Sequence, residues 1–256
     1  MKKKNLLIIV SIILFLNVQN LHAQEKESDS QLWLAQEMVV KPSMEKQHRS
    51  LVKKYIELCK KHSLSINWNA KHNGNFHYYY FYPVNDYNEI NAIDEESAAV
   101  RKEFGSENWI AWHETYYSYK SYYLESSTNL SYIPENPRLK SEDHNYVKWH
   151  LYYTIPGKGS EFKKLFKGFK TILESKKYIG SLNIGWGDIG VEGPLYIVYS
   201  SGKSSVDFLE QNSKMWKLIG EEGWEIYEKA IALTRKLETL ELWDLKDLSY
   251  SPKKEE

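Results

Sequence analysis

One cysteine, Cys59, in 256 residues leaves no partner for an intrachain disulfide. A chain without such staples must hold together through its core, and this length is enough to bury a sizeable one. Cys59 sits on the apolar face of an expected helix and reads as a buried, inert thiol. Net charge is lacking as well: 34 basic residues balance 34 acidic ones. That balance gives no electrostatic footprint for nucleic acid or an anionic membrane surface. Long apolar runs are missing with one exception, Leu6 to Leu16, which is too short to cross a hydrocarbon core of ~30 Å as a helix.

That run follows Met1-Lys2-Lys3-Lys4 and ends at Leu21-His22-Ala23, ahead of a polar stretch. A basic segment, a short apolar segment and a small residue, in that order, make a signal peptide over residues 1–23. No cysteine stands near the cut to carry a lipid. The expectation is an exported bacterial protein, periplasmic or extracellular, with no stable membrane anchor after cleavage. Cleavage removes Lys2, Lys3 and Lys4 and no acid, so 31 basic groups then face 34 acidic ones.

What the chain does have is self-similarity. Leu130-Ser131-Tyr132-Ile133-Pro134 returns as Leu248-Ser249-Tyr250-Ser251-Pro252. The apolar positions Leu51, Val52, Tyr55, Leu58 and Cys59 answer Leu165, Phe166, Phe169, Ile172 and Leu173, and Ile66-Asn67-Trp68 answers Leu182-Asn183-Ile184. Three matches in order, at slowly drifting offsets, read as two copies of one unit. The expected divisions are a polar leader at 24–31 and repeats at 32–140 and 141–256.

Periodicity parses each copy. First strands are expected at Leu32 to Val40 and Val147 to Ile155. Alternation groups Leu32, Leu34, Met38 and Val40 with Val147, Trp149, Leu151, Tyr153 and Ile155 on one face. Apolar residues three and four apart then mark an amphipathic helix. A hairpin follows, turning at His72-Asn73-Gly74-Asn75 in copy one, since Asn-Gly suits the positive φ of a tight turn. Helical regions are expected near 86–125 and 204–246, each followed by the short Leu-Ser-Tyr strand. The order is β-α-β-β-α-β, the ferredoxin-like unit. Two such sheets with bare faces bury them by packing face to face.

In this repeated order and its terminal Leu-Ser-Tyr strands the sequence resembles the dimeric α+β-barrel superfamily, with its NIPSNAP-like and antibiotic-biosynthesis-monooxygenase-like families. The resemblance implies an α+β fold: two fused ferredoxin-like repeats closing an intramolecular barrel, a pseudo-dimer within one chain. Haem-degrading members place an axial histidine on a helix near a tryptophan. His113, beside Trp109 and Trp112, looks similar, which makes haem the one cofactor the resemblance raises; the corresponding position in copy two is Ile231.

Gly185-Trp186-Gly187-Asp188-Ile189-Gly190 spells a dinucleotide fingerprint, but the flanks read strand-turn-strand, so the glycines belong to a hairpin. His72 and His77 flank the Asn-Gly turn, and a two-residue loop would put them on one side. With no third ligand in view they read as surface histidines, and no metal is expected. The barrel interior is the expected ligand site, with Glu37, His150 and Tyr152 pointing inward and Trp33 and Tyr79 or Tyr80 nearby. Aromatic walls with a few convergent polar groups suit a small apolar or aromatic molecule. The other readings are an oxygenase or haem-handling enzyme and a non-catalytic protein-interaction module. No catalytic residue is assigned.

Overall fold

The computed structural model describes residues 30–252, so the signal-peptide segment lies outside the described residues. The strands are β1 (Ser30–Val40), β2 (Asn69–His72), β3 (His77–Val84), β4 (Tyr116–Tyr132), β5 (Tyr146–Thr154), β6 (Leu182–Gly187), β7 (Leu195–Gly202) and β8 (Thr234–Asp244). The α-helices are α1 (Glu45–Lys61), α2 (Glu89–Glu96), α3 (Ala98–Phe104), α4 (Ser106–His113), α5 (Gly159–Ser175) and α6 (Ser205–Ala232). The strands close a barrel in the order β1-β3-β2-β8-β5-β7-β6-β4, and every pairing is antiparallel. No described helix is long and apolar enough to cross a membrane.

The order β-α-β-β-α-β runs once through residues 30–132 and again through 146–244. Registers keep step. Trp33 pairs with Pro83 and Leu124, and Trp149, 116 residues on, pairs with Tyr199 and Leu240, each also 116 residues on. The sequence matched Leu32 to Val147 at 115, one residue short. Side chains alternate along a strand, so this slip exchanges inside and outside for the whole of β5. Val147, Trp149 and Tyr153 pack in the barrel interior with Ala35, Tyr79, Phe81, Leu124 and Leu242.

Two further expectations change. The helical regions stop at His113 and Ala232, and residues 116–132 and 234–244 are strands. The Asn-Gly hairpin has a four-residue loop, with Asn73 N–H donating to His77 O at 3.2 Å and Gly74 and Phe76 at positive φ. His72 therefore pairs with Tyr78 on the outer face, while His77 turns inward to Glu37 at 2.9 Å. The two histidines do not meet, and no metal-holding cluster occurs among the described residues.

Helix α1 buries His48, Leu51, Val52, Ile56 and Cys59 against the outer face of the first sheet. Burial pushes the Cys59 thiol up to about 12, in keeping with an inert role. Helices α5 and α6 cover the second sheet, with Phe162 and Leu173 fully enclosed. Helix α6 is capped by Ser204, whose Oγ accepts from Asp207 N–H, and bends at Gly220, whose φ of 56° suits glycine.

The two halves meet at two seams. Strands β4 and β6 share five paired rungs, whereas β2 and β8 share two. At the first seam Gly185 approaches Glu125 so closely that a Cβ would lie 2.5 Å from its carbonyl oxygen. That close approach explains one glycine of the false nucleotide motif. The repeated Leu-Ser-Tyr segments lock both seams alike. Ser131 Oγ donates to Ser127 O and accepts from Ile184 N–H, and Ser249 Oγ donates to Leu245 O and accepts from Ala70 N–H.

Candidate functional site

A hollow walled by aromatic side chains lies outside the barrel, between β1 and β3 and the helices of the first half. This cleft of about 590 Å³ is floored by Leu34, Gln36, Met38, Tyr80 and Tyr82 and roofed by residues of α1 to α4. Alternation along β1 and β3 sets the floor, because every second side chain faces the helices. Trp109 and Trp112, three apart on α4, stack at 5.3 Å with planes 7° apart. Tyr55 meets Trp68, Trp109 and Trp112 at 5.6–6.4 Å. Trp112 is 8% exposed, and its indole N–H has no partner. Buried polar groups are nearly always matched, so an orphaned donor in a cleft wall is unusual.

At the edge of the cleft, between α1 and the floor, His48 is fully buried on α1. Thr115 spends its one hydroxyl proton on Trp112 O at 2.6 Å, so its oxygen accepts from His48 Nδ1–H at 2.9 Å. The bare Nε2 then accepts the Tyr80 hydroxyl proton at 3.1 Å. Burial, and secondarily the Arg49 charge, lowers His48 to about 4, so it stays neutral at ordinary pH. Burial drives Tyr80 far above its usual value. The arrangement can take up a proton only by relay, from a ligand to Tyr80 oxygen and from Tyr80 to His48.

The expected site residues divide between the two faces of the sheet. Trp33 and Tyr79 are inside the barrel, Trp33 donating from Nε1 to Ser126 Oγ at 3.0 Å. Glu37 pairs with His77, and its negative charge adds to burial in raising Tyr79. His150 and Tyr152 are corrected by the one-residue slip: they line a second helix-covered cleft of about 230 Å³ with Phe166, Phe169 and Trp216. Burial lowers His150 and raises Tyr152 there. Glu37, His150 and Tyr152 therefore do not converge. Tyr80, offered as an alternative to Tyr79, points outward into the larger cleft. His48 was missed, since a single histidine on an apolar helix face carries no signal until Thr115 and Tyr80 are brought to it.

His113 lies at the rim of the larger cleft, exposed, with Trp109 at 6.1 Å and Tyr116 at 5.8 Å. Among the lining residues Arg101 is the one permanent cation, and it is bound to Asp94 at 2.6 Å and Ser97 at 2.9 Å. An exposed rim histidine and a cation already paired do not fit haem, which needs an enclosed axial ligand and partners for two carboxylates.

No family model and no curated protein matches the sequence. Solved structures do match in shape. A protein of Lactobacillus acidophilus described as a candidate monooxygenase is 10% identical, with a TM-score of 0.55 over 87% of this chain and 97% of that one. An anthrone oxidase-like protein is 11% identical, with a TM-score of 0.56 over 84% and 91%. Chlorite dismutase of Candidatus Nitrospira defluvii is 11% identical, with a TM-score of 0.52 over 87% and 93%. At these identities the likeness concerns architecture, and with the closed eight-stranded sheet it assigns the chain to the dimeric α+β-barrel fold, completed here within one polypeptide.

Proposed function

We propose that the protein binds a small planar aromatic molecule bearing a hydrogen-bond acceptor, in the cleft between the first sheet and α1 to α4. The observation that carries this reading is the unpartnered Trp112 N–H in an aromatic wall around about 590 Å³. Aromatic faces supply area, and a single donor fixes orientation. We place this activity outside the cytoplasm on the strength of residues 1–23, and we read the chain as two fused ferredoxin-like repeats, which the matching registers support. This moves the ligand from between the sheets to the outer face of one of them.

Calorimetric titration with 1-naphthol tests the proposal. Trp112→Phe keeps a ring and removes the donor, so affinity for 1-naphthol should fall about 3- to 10-fold while naphthalene is unaffected. No binding by the wild type, or unchanged affinity in Trp112→Phe, sinks it.

The Tyr80–His48 contact favours a second reading, a cofactor-independent oxygenase, and the likeness to a candidate monooxygenase and an anthrone oxidase-like protein is in keeping with it. The relay would take a proton from the methylene carbon of an anthrone. The carbanion would then give its electrons to dioxygen, leaving the quinone and water. Dioxygen uptake with anthrone measures this: a rate that Tyr80→Phe and His48→Asn leave at the wild-type level excludes it.

A further inference from the structure

The barrel interior is not uniformly filled. Toward one part of it Ala35, Tyr79, Leu195 and Leu242 close the space. Elsewhere a cleft of about 390 Å³ remains, and all eight strands contribute to its lining. One wall is aromatic. Trp149 lies 5.4 Å from Phe81 and 5.8 Å from Tyr199, with planes tilted by 47° and 43°. Trp149 is 8% exposed, and its indole N–H has no partner. Trp33 lines the same cleft and is satisfied by Ser126, so the wall does not starve its donors in general.

The ionisable side chains of this cleft are the Lys71–Asp244 ion pair and His144; Glu125 lends its backbone only, since Leu124 and Ser126 on either side of it face the interior. Burial lowers His144, which leaves it neutral. With Lys71 already paired to Asp244, the cleft offers an anionic ligand no free cation among the described residues, while the unpartnered donor of Trp149 calls for an acceptor. The Asp244 carboxylate in the same lining can accept a hydroxyl proton in turn.

We propose that the barrel interior is a second, separate binding site, taking an uncharged hydroxylated aromatic whose oxygen accepts from Trp149 and whose hydroxyl faces the Asp244 carboxylate. The volume falls within the roughly 300–1,000 Å³ of ordinary small-molecule pockets. The site is independent of the outer cleft, since the sheet itself separates the two.

Fluorine NMR on protein labelled with 5-fluorotryptophan tests this, with the Trp149 resonance assigned by its loss in Trp149→Phe. Titration with 2-naphthol should shift the Trp149 resonance saturably, and 2-naphthoate should need at least about tenfold more ligand, burial of a carboxylate without a free cation being costly enough for that. In Trp149→Phe the inner-site affinity, read from the Trp33 resonance, should fall about 3- to 10-fold for 2-naphthol and not for naphthalene. Val147→Phe, which fills the cleft, should abolish the shift. A Trp149 resonance that stays still at saturating 2-naphthol overturns the inference, even if the Trp112 resonance moves and the outer cleft is thereby occupied. Equal response to 2-naphthol and 2-naphthoate overturns the stated ligand chemistry.

Discussion

Tyr80 gives its hydroxyl proton to His48 Nε2 at 3.1 Å, and His48 can accept it only because Thr115 has fixed the proton of the ring on Nδ1. A buried histidine held neutral in this way makes folding depend on pH. The folded value of about 4 lies below the unfolded 6.5, so its stabilisation is complete above pH 6.5 and is lost as pH falls toward 4. A shift of that size is worth roughly 3 kcal/mol. Thermal unfolding of the wild type should weaken over that window more steeply than that of His48→Asn. Parallel curves would remove His48 from the account.

The Leu-Ser-Tyr locks differ in burial, and their deletions should differ in cost. Ser131→Ala strands the Ile184 N–H in a buried setting and should cost about 1–3 kcal/mol. Ser249 is only part-buried at its contact with Ala70, so Ser249→Ala should cost about 1 kcal/mol or less. Urea denaturation of the two variants measures both, and a reversed order would show that the locks are not the relevant contacts.

Gly185→Ala should destabilise the protein by about 1–3 kcal/mol, because the new methyl meets the Glu125 carbonyl at a seam whose backbone cannot retreat without breaking rungs. Gly193→Ala, with open space around it, is the control and should be nearly neutral in the same denaturation assay.

Leu242 is fully enclosed in the barrel interior, beside the cleft proposed as the second site. Leu242→Ala should cost about 2–5 kcal/mol, measured by thermal or urea unfolding. A much smaller loss would mean that this part of the interior is already loosely packed.

Much of this architecture is written in the chain at short range. The stripe along α5 and the Asn-Gly turn each announce themselves within a few residues. Strands β4 and β8 do not, because their first halves are exposed and carry no amphipathic period. The tyrosines of Tyr116 to Tyr123, favoured in strands, were the available signal. The inside of the barrel was equally hidden. A closed barrel with helices outside buries both faces of β5, so Val147 and Trp149 on one face and Tyr146 and Tyr152 on the other look alike to alternation. Only the pairing of Trp149 with Tyr199 and Leu240 tells which is which. The polar contacts of the outer cleft depend on meetings across 67 and 32 residues, and no local pattern encodes them.

The seam between β2 and β8 has a consequence for self-association. Two rungs, the Lys71–Asp244 pair, the bridge from Trp68 to Tyr250 and the bonds of Leu245 and Ser249 to Ala70 turn an open ribbon of eight strands into a ring. If they part, two strand edges with unpaired amides face solvent at once, each a template for the same edge of another molecule. Residues 245–250 supply much of what keeps these two edges joined. Truncation after Asp244 should yield dimers and larger species on size-exclusion chromatography, with the elution of the intact protein as reference.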